Sequence, residues 1–289
     1  MGKKDQAMKQ HSLFKIVPLV VLVLLVISVS AVACDTPSYG STTAILTETP
    51  PEAPRSSPAA APEPASEPAA SPVPLVSRQN ELVAAIGENP DTVAWLYLPG
   101  TEIDDPVVQA ADNDYYLQRT FEGKHSVWGC YFADSLNTLD SRANLDSNTV
   151  IYGHAYKNED PGERKFTQLF KYLDPAFAEQ NPYLYLALDG EDLAFQVAAV
   201  FFTDISFDYI NPNPPQREFH ETIAAKNELL IDGLDFGPGD YVLTLSTCSH
   251  RYDVNKTRNH RLVVMAKLLP EGTTVQDITI TANPNPEKP

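Results

Sequence analysis

A proline-rich segment divides this chain and limits where a folded domain can begin. Nine prolines fall between Pro50 and Pro74, interleaved with alanine, serine and glutamate. This composition buries too little apolar surface to form a core, and it favours extended polyproline conformations. Residues 35–75 are therefore predicted to form an extracellular stalk, which reaches about 120 Å at about 3.1 Å per residue. Residues 76–269 have the length and composition of one sizeable globular domain.

The segment before the stalk has the pattern of a membrane anchor. Residues 1–15 carry four lysines and one acid, and residues 16–34 carry no charge. An apolar run of this length is close to the roughly 20 residues that span a bilayer. The basic flank should remain in the cytoplasm, which places the domain outside the cell.

Two other interpretations of this segment remain open. Ala-Val-Ala-Cys34 could be a lipoprotein cleavage site with a lipidated Cys34, although Ala31 stands where such sites usually carry leucine. A cleaved secretory signal is the third interpretation. The anchor and the lipoprotein interpretations both tether the protein to the outer face of the membrane.

Charge and cysteine content narrow the class of protein further. A net charge of −17 argues against nucleic acid as a partner. The domain contains two cysteines, Cys130 and Cys248, which are too few for a disulfide scaffold. A bridge between them stays possible from sequence alone. Cys130, within Trp-Gly-Cys-Tyr-Phe, is expected to be a small buried core residue.

Short strand-like runs separated by turn residues dominate the domain and predict a mainly β fold. The predicted strands are 95–98, 103–109, 127–133, 149–152, 183–188, 194–203, 241–247 and 261–269. The predicted helices are 76–88, 166–172 and 217–230, with a turn or short helix at 112–117. Many short strands with such punctuation indicate a closed or nearly closed barrel. The tail, 270–289, is expected to add one strand at 277–281 and then fray.

The residues that can carry chemistry lie at the ends of two of these strands. Tyr241-Val-Leu-Thr-Leu-Ser-Thr-Cys248 alternates like a pleated strand and ends on a thiol. The next strand-like run begins with Arg261. If the two runs pair as an antiparallel hairpin, Cys248 and Arg261 become neighbours. A thiol beside a guanidinium is a nucleophile beside an electrostatic stabiliser.

A cysteine nucleophile also needs a base or a cationic partner, and three histidines are candidates. His154 follows Asn-Thr-Val-Ile-Tyr-Gly, a strand that breaks at a glycine, which places the imidazole at a strand end. His250 and His260 flank the loop between Cys248 and Arg261 and remain alternatives. The same loop, 249–260, also carries Arg251, Lys256 and Arg258.

Together these motifs resemble a class B sortase. The resemblance rests on Thr244-Leu-Ser-Thr-Cys248, an upstream Gly153-His154 and a downstream Arg261-Leu-Val-Val, in the order of the family. Further matching stretches are the helix before Asn89-Pro90, Trp95–Gln109, Asp112–Leu117, Asn148–His154 and the helix at 217–230. The resemblance covers about residues 80–269. It implies a closed eight-stranded β-barrel with an N-terminal helix and a helix inserted before the cysteine strand.

The resemblance also implies a transpeptidase reaction without a cofactor or a metal. Cys248 would attack a threonine carbonyl in the C-terminal sorting signal of a secreted protein and form a thioacyl intermediate. His154 would exchange protons with the leaving and incoming amines, and Arg261 would bind the oxyanion. The acceptor would be an amine of the cell-wall precursor or a pilin lysine. By position, the peptide groove would be lined by Asn113, Leu117, Tyr209, Ile210, Ser246 and Thr247.

Other classes of protein fit less well. In papain-like enzymes the cysteine precedes the histidine, whereas here His154 precedes Cys248. L,D-transpeptidases carry a His-Gly-Cys motif that this sequence lacks. A non-enzymatic alternative remains, namely a stalked cell-wall binding module on the same barrel. The expected setting is a Gram-positive-type envelope, and the sequence leaves the sorting motif and the choice between wall anchoring and pilus assembly open.

Overall fold

The computed structural model describes residues 71–254 and 259–289. The predicted cytoplasmic segment 1–15, the predicted anchor 16–34 and the stalk before residue 71 lie outside these residues. Lys256 and Arg258 of the basic loop also lie outside them. Within the described ranges, no helix is both long and apolar enough to span a bilayer.

The described residues contain ten strands, which form a closed barrel and a small separate sheet. Their bounds are β1 Thr92–Tyr97, β2 Asp104–Val108, β3 Tyr131–Ala133, β4 Asn148–Tyr152, β5 Tyr183–Leu188, β6 Glu191–Thr203, β7 Leu229–Asp232, β8 Val242–Cys248, β9 Arg261–Leu268 and β10 Thr279–Ala282. The barrel order is β1-β2-β3-β4-β8-β9-β6-β5, and β1 closes it by pairing with β5. The β2–β3 and β4–β8 pairs are parallel, and the other pairs of the barrel are antiparallel. The predicted closed eight-stranded barrel is confirmed.

The strands that carry the candidate chemistry are buried on both faces. Leu243 and Leu245 of β8 point into the main core inside the barrel. On the opposite face, Val263 and Met265 of β9 pack under the helix Gln216–Lys226. Because both faces are covered, β9 is a nearly continuous apolar run rather than an alternating one. The two strand ends therefore project from a rigid layer.

Short helices surround the barrel in the described part of the chain. The α-helices are α1 Gln79–Glu88, α2 Pro175–Gln180 and α3 Gln216–Lys226, and the 3-10 helices are Tyr116–Gln118, Arg142–Asn144 and Lys165–Leu173. The predicted N-terminal helix, the helix at 166–172 and the helix before the cysteine strand are all present. Helix α2 was not predicted, although Asp174 caps it by accepting from the Ala176 amide at 3.0 Å, and Pro175 occupies its first turn.

Several predicted elements are shorter than expected, and two of them lose four residues at one end. The helix predicted over 217–230 ends at Lys226, because Asn227 accepts a hydrogen bond from the Val200 amide at 2.9 Å and the chain continues as β7. The strand predicted over 127–133 begins only at Tyr131. Gly129 has φ +53°, which is incompatible with an extended strand.

The C-terminal tail folds back on the domain, so the expectation that it frays is wrong. Strand β10, predicted at 277–281, pairs with β7, and Ile280 enters the main core. Beyond it, the Glu287 amide donates to the Ala225 carbonyl at 2.8 Å. The start of the described chain joins the same tail, since the Val73 amide donates to the Thr273 carbonyl at 2.8 Å. The tail is thus an integral part of the domain.

Replacing Ile280 with alanine should destabilise the protein. Its side chain is 4 % exposed, so the change leaves a cavity that costs about 3 kcal/mol in the free energy of unfolding. Urea unfolding of the purified protein measures this, with Thr281→Ala on the exposed face of β10 as a control expected to change stability by less than about 0.5 kcal/mol. Equal effects of the two variants would show that the tail does not contribute to the core.

Candidate active site

One groove brings together the residues predicted for the site. It has a volume of about 340 Å³ and lies between the ends of β4, β8 and β9 and the loop 205–210. All nine predicted residues line it, namely Cys248, His154, Arg261, Asn113, Leu117, Tyr209, Ile210, Ser246 and Thr247.

Cys248 and Arg261 are direct partners in the β8–β9 ladder, as the hairpin interpretation predicted. Cross-strand partners hold their Cβ atoms about 5 Å apart. The Arg261 Nη1 donates to the His260 carbonyl at 2.9 Å, and the Ser249 amide donates to the same carbonyl at 3.0 Å. The Arg261 guanidinium and the Ser249 amide, which follows Cys248, therefore share one acceptor. This shared bond holds the positive charge of Arg261 at the end of the strand.

The two cysteines of the domain differ sharply in environment. Cys130 and Cys248 are both free thiols, so the bridge left open by the sequence is absent. Cys130 is buried as expected, and burial raises its pKa to about 12. A thiol with such a pKa stays protonated near neutral pH and is a poor nucleophile. Cys248 is only partly buried and faces the groove.

A glycine places His154 next to the cysteine strand. A Cβ on Gly153 would lie 2.7 Å from the Phe166 ring and 2.8 Å from the Tyr131 ring, which leaves no room for a side chain. The Gly153 carbonyl accepts from Thr247 Oγ1 at 2.7 Å. This bond joins the residue before His154 to the residue before Cys248, so it sets the spacing of the two side chains.

The other two candidate histidines share a carboxylate instead of lining the groove. His250 Nδ1 and His260 Nδ1 lie 2.8 and 2.9 Å from the two carboxylate oxygens of Asp253. The hydrogen bond from His250, followed by that from His260, holds the pKa of Asp253 below its usual range. Of the three histidines, His154 is therefore the one that shares the groove with Cys248.

The described part of the basic loop after Cys248 contacts acids that the sequence interpretation missed. Glu159 accepts from Ser249 Oγ at 2.9 Å and lies 3.7 Å from Arg251 Nε. The Arg251 guanidinium also lies 4.8 Å from the centre of the Phe202 ring. Together with Asp253, these contacts pack residues 249–253 against the barrel.

A buried carboxylate organises the opposite wall of the groove and was also missed. Asp134 accepts from Tyr152 at 2.7 Å and from Asn113 Nδ2 at 2.8 Å. Burial and then the bond to Asp134 raise the pKa of Tyr152. The Ser135 amide donates to the Asn113 side-chain oxygen at 2.8 Å, so the amide of Asn113 has one orientation. In sequence, Asp134 cannot be told from a solvated acid after a strand.

A second buried polar residue, Asn148, fixes the wall that contains Tyr209 and Ile210. Asn148 Nδ2 donates to the carbonyls of Tyr209 and Asn211, each at 2.9 Å. The Tyr209 hydroxyl lies 2.9 Å from Ser246 Oγ, and burial raises the pKa of Tyr209. The loop is therefore tied to both β4 and β8.

Comparison with known proteins decides the family. The family model described as the Sortase domain matches residues 96–269, which is more than half of the chain. The chain belongs to the sortase family. Among curated proteins this sortase is similar to sortase B of Listeria monocytogenes, with 33 % identity over 63 % of this chain and 71 % of that protein.

Solved structures agree at the level of the fold. A Staphylococcus aureus sortase B–substrate complex matches with a TM-score of 0.57 and 27 % identity, over 67 % of this chain and 86 % of that one. Clostridium perfringens sortase B matches with a TM-score of 0.56 and 31 % identity, over 65 % of this chain and 99 % of that one. The protein is thus a class B sortase, a cysteine transpeptidase that sorts proteins to the cell wall. In the part of this sortase that the structure describes, no group of three or more His, Cys, Asp or Glu side chains could hold a metal ion.

Replacing Asp253 with asparagine should lower the unfolding temperature in a pH-dependent way. The pKa of Asp253 is lower in the folded protein than its usual value of about 3.9, so the unfolded state binds more protons and the carboxylate stabilises the fold above about pH 4. The gap between wild type and Asp253→Asn should be full at neutral pH and shrink as the pH falls through the lowered pKa. Thermal unfolding across pH measures it, with the exposed Asp189→Asn as control. A gap that stays constant to about pH 2 would contradict this.

Proposed function

We propose that this sortase cleaves a C-terminal sorting signal after a threonine and transfers the threonine carbonyl to an amine through a thioacyl intermediate on Cys248. The observation that carries this proposal is that Cys248, Arg261 and His154 line the same groove. Each is the residue type that one step needs, namely a nucleophile, an oxyanion stabiliser and a proton carrier.

In the acylation step, the Cys248 thiolate attacks the threonine carbonyl carbon. The charge that develops on the carbonyl oxygen is stabilised by Arg261, because a guanidinium offers several N–H donors in a fixed plane. The carbon–nitrogen bond then breaks, and His154 gives its proton to the departing amine. The acyl group remains on sulfur.

In the second step, an amine attacks the thioacyl carbon. His154 takes a proton from this amine, the carbon–sulfur bond breaks and the electron pair returns to Cys248. One solved Staphylococcus aureus sortase B structure is a substrate complex, and another sortase B structure is a complex with triglycine. By this likeness, the acceptor is proposed to be an amine of the cell-wall precursor, and a pilin lysine is the alternative that the sequence left open.

The groove walls are proposed to hold the sorting peptide. Leu117 and Ile210 offer apolar surface, while Asn113 offers a side-chain amide with a fixed orientation. Ser246, Thr247 and Tyr209 complete the wall nearest the thiol. A mostly apolar groove with few oriented polar groups suits an extended peptide.

Family membership associates the protein with the cell envelope. The finer arrangement is part of the proposal: residues 1–15 lie in the cytoplasm, and a single anchor helix spans the membrane at 16–34. A stalk that begins at residue 35 leads to the catalytic domain outside the membrane, which consists of the predicted 76–269 together with the tail that folds onto it. Cleavage of the stalk by a protease added to intact cells should release the domain. Mass spectrometry of the fragment that stays in the membrane separates the two anchors: a fragment that begins at Met1 supports the helix, and a lipid-modified fragment that begins at Cys34 supports the lipoprotein interpretation.

A peptide panel tests the reaction. Fluorogenic pentapeptides ending in Thr-Gly, Thr-Asn or Thr-Ala are incubated with the purified protein, with and without hydroxylamine or triglycine. Cleavage that yields a hydroxamate or a new peptide establishes transfer and identifies the motif. No cleavage across the panel, with Cys248 slow to react with iodoacetamide, would favour the non-catalytic cell-wall binding module.

Substitution of the three groove residues should remove activity selectively. Cys248→Ala should abolish turnover, while His154→Ala and Arg261→Ala should each lower kcat/KM by roughly three orders of magnitude or more. Cys130→Ala is the matched control, because that thiol is buried, and it should retain turnover. Near-normal kinetics in one of the three groove variants would remove that residue from its role.

A further inference from the structure

The structure specifies which nitrogen of His154 is engaged by the protein. His154 Nε2 lies 2.7 Å from the Leu117 carbonyl oxygen. A carbonyl oxygen can only accept, so Nε2 carries a proton when this bond is made. In its neutral form the imidazole therefore has a bare Nδ1. Within residues 71–254 and 259–289, no protein group forms a hydrogen bond to that Nδ1.

The same edge of the ring is packed against a glycine. Gly129 has φ +53°, and a Cβ built on it would lie 3.2 Å from His154 Cδ2. That Cβ would also lie 2.9 Å from the Leu117 carbonyl oxygen and 2.8 Å from the Tyr116 carbonyl oxygen. The Cδ2–Nε2 edge thus faces the chain between residues 116 and 129. The opposite edge, which contains Nδ1, is the one left for the groove.

The Leu117 carbonyl is itself held by local structure. It lies in the 3-10 helix Tyr116–Gln118. The Ser126 amide donates to the Gln118 carbonyl at 2.9 Å, and the Gly129 amide donates to the Ser126 carbonyl at 3.2 Å. A bridge between Arg119 and His125 closes the turn. The acceptor and the glycine therefore approach His154 as one rigid unit.

We infer that His154 exchanges its catalytic proton through Nδ1, and that Gly129 is a positioning residue that keeps Nε2 bound to the Leu117 carbonyl. In acylation, the Nδ1 proton passes to the leaving amine as its bond to the acyl carbon breaks. In transfer, the bare Nδ1 takes a proton from the attacking amine as the carbon–sulfur bond breaks. Nε2 keeps its proton throughout. This inference rests on the proposed role of His154.

The Leu117 carbonyl accepts a hydrogen bond from the protonated His154 ring, in place of the water molecule that would accept it at an exposed site. Hydrogen bonds to charged groups are stronger than those between neutral groups. Without it, the ring should be free to rotate. Adding a side chain at position 129 should break this hydrogen bond, because a Cβ there pushes against two backbone carbonyls.

The closing experiment compares Gly129→Ala with Gly190→Ala in the purified protein. Gly190 has φ +79°, so alanine is strained there too, but a Cβ at this position meets no atom within 4 Å. Gly129→Ala should lose about 10²-fold in kcat with little change in KM. Gly190→Ala should keep the wild-type kcat and KM.

A spectroscopic readout decides the tautomer without activity. Long-range proton–nitrogen spectra of wild-type protein labelled with nitrogen-15 histidine show which ring nitrogen is protonated, and His154→Gln assigns the signal by its loss. Protonated Nε2 with bare Nδ1 at high pH is the expected result. The opposite tautomer, or a folded Gly129→Ala with the kinetics of Gly190→Ala, overturns the inference. If His154→Ala itself keeps near-normal turnover, the proposed role of His154 fails instead, whichever tautomer is seen.

Discussion

The pairing of β8 with its two neighbours is the constraint on which the rest of the site depends. Its antiparallel partner β9 places Arg261 opposite Cys248, and its parallel partner β4 ends one residue before Gly153. A slip of one residue in either register would turn every side chain of that strand to the other face. Burial of β8 and β9 on both faces makes such a slip costly, since it would move polar side chains into the core.

Buried polar residues hold the walls of the groove in place against the strands. Asn148 and Asp134 are almost fully buried, and each joins segments that are distant in sequence. Buried polar groups that are fully hydrogen-bonded favour one arrangement, because any alternative leaves them unsatisfied. The groove is therefore largely preformed, and a peptide that enters it meets oriented groups.

The sequence was sufficient to predict the barrel and the residues that line the groove. The Cys248–Arg261 contact followed from the hairpin interpretation, because the end of one strand lies beside the start of the next when consecutive strands pair antiparallel. The position of His154 was harder, since it depends on a parallel pairing between strands that are far apart in sequence, and it came from the family resemblance. Its neighbours Leu117 and Gly129 act through backbone atoms, which leave little trace in residue type.

The features that the sequence did not predict depend on partners from other segments of the chain. Asp134, Glu159 and Asp253 look like surface acids until their partners from other segments are known. The sheet of β7 and β10 was not predicted, because the first residues of β7 were assigned to the helix predicted over 217–230. Leu229 and Leu230 are compatible with either structure. Its partner strand was recognised, but a strand without a known neighbour gives no sheet.

The parallel pairing of β4 with β8 also has a consequence for how the enzyme comes into being. The bond between Thr247 and Gly153 joins residues 94 positions apart, and the barrel closes through other distant pairs. Contacts of such high sequence separation form late, because a long loop must be closed before they yield any stabilisation. A chain emerging N-terminus first carries His154 long before it carries Cys248 and Arg261. The groove therefore cannot assemble until the chain has been made to Arg261, and an incomplete chain has no assembled site.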